Sequence, residues 1–450
     1  MPDVDRTIPL NRSELMYMAS EGIVGSIGQV YSLRFREAHT QAELRAAVRH
    51  LVRIYPRTRS MITPTFFTHR LRLLPDDARV NAFFAEAFQV VHGVGTDYAS
   101  LQKYMEEVAS EPFTLDHALP IRARLLVDSP LPVLVLIVHH VVCDGRGMVQ
   151  MMDSLMAYLN GVEHPEVPID EPSMVPAILP KSLRERVRSL VRSYRIHRGE
   201  TRTSKQWLTI ELGKPDSTFG PPGVCIHPVP FDIPAIKRGA AKHGCSVTEL
   251  LMALFTASFA REVEQDGRNA VSIRLSVDLR PYFEDDRRPT YGNYVASFMM
   301  HLTRWDEIGV IVTDIREQLR KNLERFERKE MSYPLVMGEI ASRIGRKIFR
   351  WTALAMKRRG LLPKATFHYS TLGSIDILNS HGARAQLDEV TGFVPTLVPF
   401  ITSWWIGDTL CLTCSYPRHE IDGAAVDRMF ADFDAALGYA LQMDTPRAQT

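Results

Sequence analysis

The chain has 450 residues, of which 45% are hydrophobic and 24% are charged, and this balance excludes a disordered, collagen-like or coiled-coil protein. Lys and Arg number 54 and Asp and Glu number 52, so the net charge of +2 gives no reason to expect a nucleic-acid partner. The five cysteines are few and scattered, which is typical of a reducing compartment. We recognise no signal peptide and no membrane-spanning run, so we expect a cytoplasmic protein.

The first part of the chain alternates strand and helix signals. A helix is predicted over 41–54, with Thr40 as its N-cap and Pro56 ending it, because apolar residues there recur at helical spacing. The same helical spacing predicts two more helices, over 98–108 and 147–159. Patterns typical of strands predict three strands, over 29–35, 121–127 and 133–138. We assign residues 1–165 to an N-terminal lobe that ends with the last of these helices.

A proline-rich stretch without an apolar period follows Asn160 and separates two lobes. We interpret residues 166–206 as an inter-lobe linker with a basic segment, and residues 207–450 as a C-terminal lobe. In that lobe the periods predict helices over 247–263, 305–328 and 423–441 and strands over 270–277, 293–301, 366–370 and 410–416. The predicted fold class is therefore mixed α/β with two lobes.

The most specific feature lies over 138–145, where an apolar strand runs into His139 and His140 and then into a turn with Asp144 and Gly145. Side chains alternate along a strand, so the two histidines face opposite sides and do not share one metal ion. This geometry favours one histidine aimed into a cleft, where a neutral imidazole is the natural general base. Asp144 can brace the turn, and Gly145 relieves crowding there. Alternatively, the histidines merely end a buried strand with their polar atoms satisfied.

This HHxxxDG pattern is the signature of an acyltransferase superfamily that the sequence resembles. The superfamily includes nonribosomal-peptide condensation domains, chloramphenicol acetyltransferase, plant-type acyltransferases and bacterial wax-ester synthases. The resemblance covers nearly the whole chain, through the segments 44–59, 111–124, 278–281 and 292–295. It implies two lobes that each resemble chloramphenicol acetyltransferase, with a tunnel between them and the motif histidine at its middle. It also favours a monomer.

The resemblance implies a role for each motif residue. His140 would be catalytic, taking a proton from an acceptor hydroxyl or amine as the acceptor attacks a thioester carbonyl. His139, Asp144 and Gly145 would support the site structurally, and Asp144 would pair with Arg280 of the Asp-Leu-Arg turn. Three further residues are candidates, by position, for substrate binding or oxyanion stabilisation, namely Asn293, Ser370 and Thr371. No metal and no permanently bound cofactor are implied, and acyl-CoA or a phosphopantetheine thioester is the co-substrate.

Departures from the known subfamilies narrow the implied function. The second motif of plant-type enzymes, DFGWG, is absent, and the helix that opens at Ser246 lacks the Asn-Asp pair usual in wax-ester synthases. The resemblance favours an acyltransferase that moves an acyl group from acyl-CoA to the hydroxyl of a small or lipidic alcohol. The first alternative is a free-standing condensation enzyme that takes a carrier-protein-bound donor and forms an amide or an ester. The second alternative is a catalytically inactive binding module.

Two basic stretches, 181–198 and 343–364, interleave Lys and Arg with apolar residues at helical spacing. Such helices suit the surface of an anionic membrane. They suit equally well an acidic carrier protein or the phosphates of CoA. A third interpretation is a helix packed on the core with its basic face in solvent. Peripheral membrane contact through either stretch is therefore one of three hypotheses.

Overall fold

Two large β-sheets, each formed mainly by one half of the chain, organise the fold. The computed structural model describes residues 6–23, 25–64, 69–129, 131–170, 173–261, 263, 267–342 and 346–442. The strands are β1 (Arg6–Pro9), β2 (Gly28–Phe35), β3 (Ser60–Pro64), β4 (His69–Leu73), β5 (Phe88–Val91), β6 (Ile121–Leu126), β7 (Val133–His139), β8 (Leu208–Thr209), β9 (Pro222–Pro228), β10 (Asn269–Asp278), β11 (Val295–Leu302), β12 (Phe367–Ser374), β13 (Leu387–Phe393), β14 (Phe400–Ile406) and β15 (Thr409–Pro417). The helices are α1 (Arg12–Ser20), α2 (Gln41–Ile54), α3 (Ala78–Ala87), α4 (Tyr98–Ser110), α5 (Gly145–Leu159), α6 (Val175–Ile178), α7 (Leu183–Ser204), α8 (Ile233–Lys242), α9 (Val247–Ala260), α10 (Ile308–Glu327), α11 (Ser332–Ser342), α12 (Arg346–Arg358) and α13 (Gly423–Gln442).

The N-terminal sheet surrounds the strand that leads into the motif. Its order is β13-β2-β7-β6-β5, so β7 lies at the centre between the antiparallel strands β2 and β6. All seven residues of β7 are buried, because both faces of the strand are covered, and this explains its unbroken apolar run. Helices α2 and α5 contact each other, and α2 buries a stripe that includes Leu44, Val48 and Leu51. Each such side chain contributes about 1.5–3 kcal/mol when it is fully buried.

The C-terminal sheet has its own core. Its order is β11-β10-β12-β14-β15-β9, with the short strand β8 paired to β10. Helix α9 contacts α10 and α13, and Phe255 of α9 stacks on Phe433 of α13 with ring centroids 4.3 Å apart. Most buried residues of these elements form a second cluster, whereas a few on β9, β14 and β15, such as Val224 and Trp404, belong to the N-terminal one. The predicted mixed α/β fold class is therefore confirmed.

The second half of the chain contributes one strand to the N-terminal sheet. Strand β13 comes from the second half and pairs antiparallel with β2, with Phe393 opposite Val30. The hydroxyls of Ser32 and Thr391, 359 residues apart in sequence, lie 2.5 Å apart across this pairing. The predicted lobes over 1–165 and 207–450 leave this strand in the C-terminal lobe, because a pairing at this sequence distance leaves no local period.

The predicted linker contains more secondary structure than its composition indicates. Helix α7 runs for 22 residues within it and contacts α11. The second basic stretch, 343–364, falls largely on α12, although 343–345 lie outside the described residues. None of the described helices is both long enough and apolar enough to cross a bilayer.

Candidate active site

The motif loop after β7 is held by side chains from other parts of the N-terminal half. Arg57 follows α2 and donates to the carbonyl oxygens of Val141 at 2.9 Å and Val142 at 3.0 Å. Its guanidinium also pairs with Glu14 of α1, and both side chains are buried. Buried carbonyl groups need a partner, so these bonds fix the path of the loop.

Asp144 joins the motif loop to the C-terminal half. Its Oδ1 accepts from the Gly147 N–H at 3.0 Å and so caps α5. Arg280 donates from Nη1 to Oδ2 at 2.8 Å and from Nη2 to Oδ1 at 3.3 Å, which makes a bidentate pair. The Tyr294 N–H donates to the same carboxylate at 2.8 Å. The structure thus brings together the two residues that the resemblance pairs.

The Asp144–Arg280 pair is almost removed from water. Arg280 is 8% exposed and Asp144 is 4% exposed. Burial acts to lower the pKa of Arg280, but the carboxylates of Asp144 and Asp278 raise this pKa above its ordinary value. The guanidinium therefore stays charged. A buried pair of this kind holds the loop only while both partners are present.

His140 lies directly after β7 and is 7% exposed, with its ring stacked on Tyr17 at a centroid distance of 4.0 Å. Its Nδ1 lies 3.1 Å from the Cys143 carbonyl oxygen, an acceptor, and 2.9 Å from Nδ2 of Asn293, a donor. These two neighbours favour opposite tautomers of the ring. Nε2 has no hydrogen-bond partner in the part of the chain that the structure describes.

The electrostatic surroundings keep the imidazole of His140 neutral. Burial lowers its pKa to about 4, and the neighbouring His139 adds to this effect, whereas the charge of Asp144 opposes it. At neutral pH His140 therefore carries a free lone pair on one ring nitrogen. This is the protonation state that a general base requires.

His139 faces the other way, and its ring is satisfied inside the core. Its Nδ1 accepts from the Val141 N–H at 3.1 Å, so Nε2 carries the hydrogen and donates to Glu21 at 3.1 Å. Burial acts to raise the pKa of Glu21, but His139 and the N–H groups of Ile27 and Phe113 lower it below its ordinary value. The two histidines have separate partners. Among the described residues, no group of three or more His, Cys, Asp or Glu could hold a metal ion.

The residues predicted to bind substrate take different positions. Asn293 is fully buried and donates from Nδ2 to the His140 carbonyl oxygen at 2.7 Å. Ser370 and Thr371 are partly exposed on β12, where the Thr371 hydroxyl accepts from the Gly373 N–H at 3.2 Å. Asn293 therefore contacts His140, and the substrate contact predicted for it stays a prediction.

Two glycines allow the loop to approach α5. A Cβ on Gly145 would lie 3.2 Å from the Leu372 side chain, so this residue begins the helix in a crowded place. Gly147 is more constrained, because an added Cβ would lie 2.5 Å from the Cβ of Cys143. The close approach of the loop to the helix thus depends chiefly on Gly147, which was not among the predicted site residues. Its position in the first turn of a predicted helix, where glycine is unfavourable, is the signal that could have pointed to it.

Solved structures share this arrangement of elements over nearly the whole chain, whereas no protein-family model and no curated protein matches the sequence. The trichothecene 15-O-acetyltransferase TRI3 from Fusarium sporotrichioides matches with a TM-score of 0.71 and 12% identity, covering 97% of this chain and 96% of that one. The first condensation domain of the CDA synthetase matches with a TM-score of 0.65 and 15% identity, covering 99% and 98%. The protein has the condensation-domain fold.

A third match is a variant of the starter condensation domain of the rhizomide synthetase RzmA, in complex with C8-CoA and Leu-SNAC. Its TM-score is 0.64 at 13% identity, with 98% of this chain and 95% of that chain covered. At such low identities the likeness is one of fold. It agrees with the two-lobe fold that the resemblance implied.

Within this condensation-domain fold, a cavity of about 430 Å³ lies beside His140. Tyr17, on which His140 stacks, lines the cavity, as does Ile27, whose carbonyl oxygen accepts from the His140 N–H at 3.0 Å. Both halves of the chain contribute, since α1, β10, β11, β12 and α12 all supply lining residues. The imidazole is therefore one side chain away from a space that both halves enclose.

His368 of β12 is a lining residue outside the predicted set. Its Nε2 lies 2.9 Å from the hydroxyl of Ser276 on β10. Burial lowers the pKa of His368 well below its ordinary value, and the charge of Arg274 and the nearby ring of His140 lower it further. The cavity thus has a neutral imidazole in its wall, in addition to that of His140 behind Tyr17. The alternation of polar residues along β12 is the sequence signal that could have pointed to it.

Proposed function

We propose that the protein transfers an acyl group from a thioester, acyl-CoA, to a hydroxyl group, with His140 as the general base. The observation that carries this proposal is a neutral imidazole beside a cavity, with Nδ1 against the Cys143 carbonyl and Nε2 without a partner among the described residues. The neighbours in fold support it. TRI3 is an O-acetyltransferase, and the RzmA domain is in complex with C8-CoA.

The reaction needs one base and no covalent enzyme intermediate. In the tautomer whose Nδ1–H donates to Cys143, the lone pair on Nε2 of His140 takes the proton of the acceptor hydroxyl. The hydroxyl oxygen attacks the thioester carbonyl carbon and forms a tetrahedral intermediate. The C–S bond then breaks, and the leaving thiolate takes the proton back from Nε2. The products are an ester and a free thiol, and the thioester is activated enough to make an enzyme nucleophile unnecessary.

The remaining motif residues act by holding His140 in place. Asp144 and Arg280 fasten the motif loop to the C-terminal half, and Asn293 donates to the His140 carbonyl oxygen. His139 anchors the end of β7 through Glu21. A base must lie within hydrogen-bond reach of the proton it removes, so small shifts of this loop would lower the rate.

The lowered pKa of His140 predicts the pH dependence of the reaction. Only the neutral imidazole accepts a proton, so kcat/KM is expected to stay constant through the neutral range and to fall as the pH approaches about 4. Ester formation measured across a buffer series checks this, with tryptophan fluorescence reporting that the fold persists at each pH. A half-loss at the ordinary imidazole value of about 6.5 would contradict the assignment.

The donor is tested by offering the same acyl group in two forms. With acyl-CoA as the donor, thiol release and ester formation are expected when an alcohol is added. A free-standing condensation enzyme would instead be silent with acyl-CoA and active with a loaded carrier protein, and amine acceptors would reveal amide formation. Silence with every donor and acceptor would favour an inactive binding module.

Contact with an anionic membrane is a further part of the proposal, supported by apolar side chains that the fold leaves exposed. In α7, Leu183 is 77% exposed, and Val187, Val191 and Tyr194 are exposed too. In α12, Trp351 is 71% exposed. A helix packed on the core would bury such residues, so simple packing does not account for either basic stretch.

Basic side chains lie among these apolar residues and favour an anionic lipid surface. Arg184, Arg188 and Arg195 of α7 and Lys347 and Arg350 of α12 are all exposed. Helix α11 contacts both α7 and α12, so the two basic helices are linked on the outside of the fold. Each basic residue near an anionic headgroup layer contributes about 1 kcal/mol, and exposed Trp and Leu side chains insert between the lipids.

Vesicle flotation is the measurement for this contact. The protein is expected to float with phosphatidylserine vesicles and much less with phosphatidylcholine alone, since the attraction is partly electrostatic. Replacing both Leu183 and Trp351 by Ser is expected to abolish flotation. Tyr439→Ser, at a 63% exposed residue on α13, is the matched control. An absence of flotation with anionic vesicles, or capture by an acidic carrier protein instead, would contradict membrane contact.

A further inference from the structure

The cavity beside His140 has a guanidinium that the proposed reaction does not use. Arg274 lines it from β10, opposite His368 in the parallel pairing with β12. Among the described residues, no carboxylate pairs with Arg274 and no acceptor takes a hydrogen bond from it. The charge is therefore available to a ligand.

Three other cations line the same cavity, and each has a partner, Arg12 included. Lys357 forms an ion pair with Glu420, and Lys364 forms one with Glu211 at 2.6 Å. Burial lowers the pKa of Arg274, as expected for a cation that has lost hydration without gaining a counter-ion. A desolvated, unpaired cation is unfavourable until an anion completes it.

Two serine side chains line the cavity on the strand positions next to Arg274. Ser276 lies two residues after Arg274 on the same face of β10, and Ser297 of β11 is the cross-strand partner of Ser276. Both serines line the cavity with Arg274. A planar guanidinium binds the two oxygens of a carboxylate at once. The hydroxyl of Ser297 can donate to the same group, whereas that of Ser276 is bonded to His368.

The position of Arg274 decides which part of a ligand carries the anion. Tyr17 stacks on His140 and lies within the electrostatic reach of Arg274, and His368 lies within reach of both Arg274 and His140. The phosphate of CoA or of a carrier protein is separated from its thioester by the whole pantetheine arm. With the thioester carbonyl at His140, that phosphate lies too far away, so the anion belongs to the acceptor or to the acyl group.

We infer that Arg274 binds a carboxylate of one of the two reacting substrates, which makes the enzyme specific for an acidic substrate. This inference rests on the proposed acyl transfer and names a substrate class for it. A hydroxy acid as the acceptor and a dicarboxylic acyl group as the donor share this chemistry. Kinetics with matched substrates separates the two.

The kinetic test uses substrate pairs that differ only in the carboxylate. The acceptor pairs are glycolate, lactate and 3-hydroxybutyrate against their methyl esters, and the donor pair is succinyl-CoA against butyryl-CoA. Arg274→Gln is expected to raise KM for the carboxylate member by about 10- to 100-fold, and to leave the neutral member within about two-fold. The pair that responds identifies the source of the carboxylate. Arg320→Gln, at an exposed arginine on α10, is the control.

A binding assay separates this inference from the proposed reaction. The same carboxylates are titrated into the His140→Ala variant, with and without Arg274→Gln, so that binding is measured without turnover. If binding depends on Arg274 but the wild-type protein transfers no acyl group, the proposed function is refuted and the carboxylate site is kept. Turnover in which both members of every pair respond equally to Arg274→Gln would overturn the carboxylate site, as would the absence of Arg274-dependent binding.

Discussion

Replacing His140 by Ala is expected to lower acceptor-dependent ester formation by about 10²- to 10⁴-fold, the range typical for loss of a general base. The other imidazole near the cavity, that of His368, does not replace it, because its Nε2 is engaged by Ser276 at 2.9 Å. The measurement is kcat for ester formation with saturating donor. The loss is expected in kcat, since the imidazole takes part in proton transfer in the transition state and contributes little to binding of the donor.

The control for this variant is His92→Ala. His92 follows β5 and its side chain is 74% exposed, so its loss removes a histidine without touching the motif. Circular dichroism and the unfolding midpoint are expected to match wild type in both variants. Equal rates in wild type and His140→Ala would mean that another group takes the proton.

Replacing Arg280 by Ala is expected to destabilise the protein by about 3–5 kcal/mol, the cost of leaving the Asp144 carboxylate buried without its counter-ion. Activity is expected to fall as well, because the same ion pair fastens the motif loop to the C-terminal half. Urea unfolding measures the first effect and ester formation the second. Arg280→Lys is expected to recover part of both, since an ammonium restores the charge but not the bidentate geometry.

Two comparisons make the Arg280 result specific. Arg304→Ala breaks an exposed ion pair with Asp314 and is expected to change stability little. In a double-mutant cycle, Asp144→Ala with Arg280→Ala is expected to cost much less than the sum of the single variants, because neither charge is left unpaired. Additive effects, or an Arg280→Ala protein as stable as the Arg304→Ala protein, would contradict the role given to the pair.

Local features of the sequence were enough for the elements that flank the site. Helix α2 has the predicted ends, because Thr40 and Glu43 form a capping box at its start and Pro56 follows its last turn. Strand β7 follows from an apolar run whose residues are buried on both faces. The strong period of α7 also lay in the sequence, but the prolines before it favoured interpretation as a linker.

Partners that lie far apart in the sequence could not be predicted in this way. Glu21 meets His139 across 118 residues, and Arg57 reaches the motif loop across 84 and 85 residues. Such bonds depend on how sheets and helices assemble and leave no periodic trace. The pairing of Asp144 with Arg280 was expected only because the resemblance supplied it.

The residues of the cavity wall could not be predicted from the sequence either. Arg274 and His368 lie on adjacent strands and become neighbours only through the register of β10 with β12. A polar residue within a mostly apolar strand is compatible with a solvent-facing position as well as with a cavity. The sequence therefore predicted one histidine in a cleft, and the resemblance selected His140, but neither pointed to Arg274 or His368.

The most direct measurement for the central claim is thiol release from a series of acyl-CoAs with and without an alcohol, in wild type and His140→Ala, with mass spectrometry of the product. Acyl transfer by His140 predicts that release requires the alcohol, that one ester forms for each thiol, and that both disappear in the variant. Ester formed at the same rate by His140→Ala, or release that does not depend on the alcohol, would contradict it.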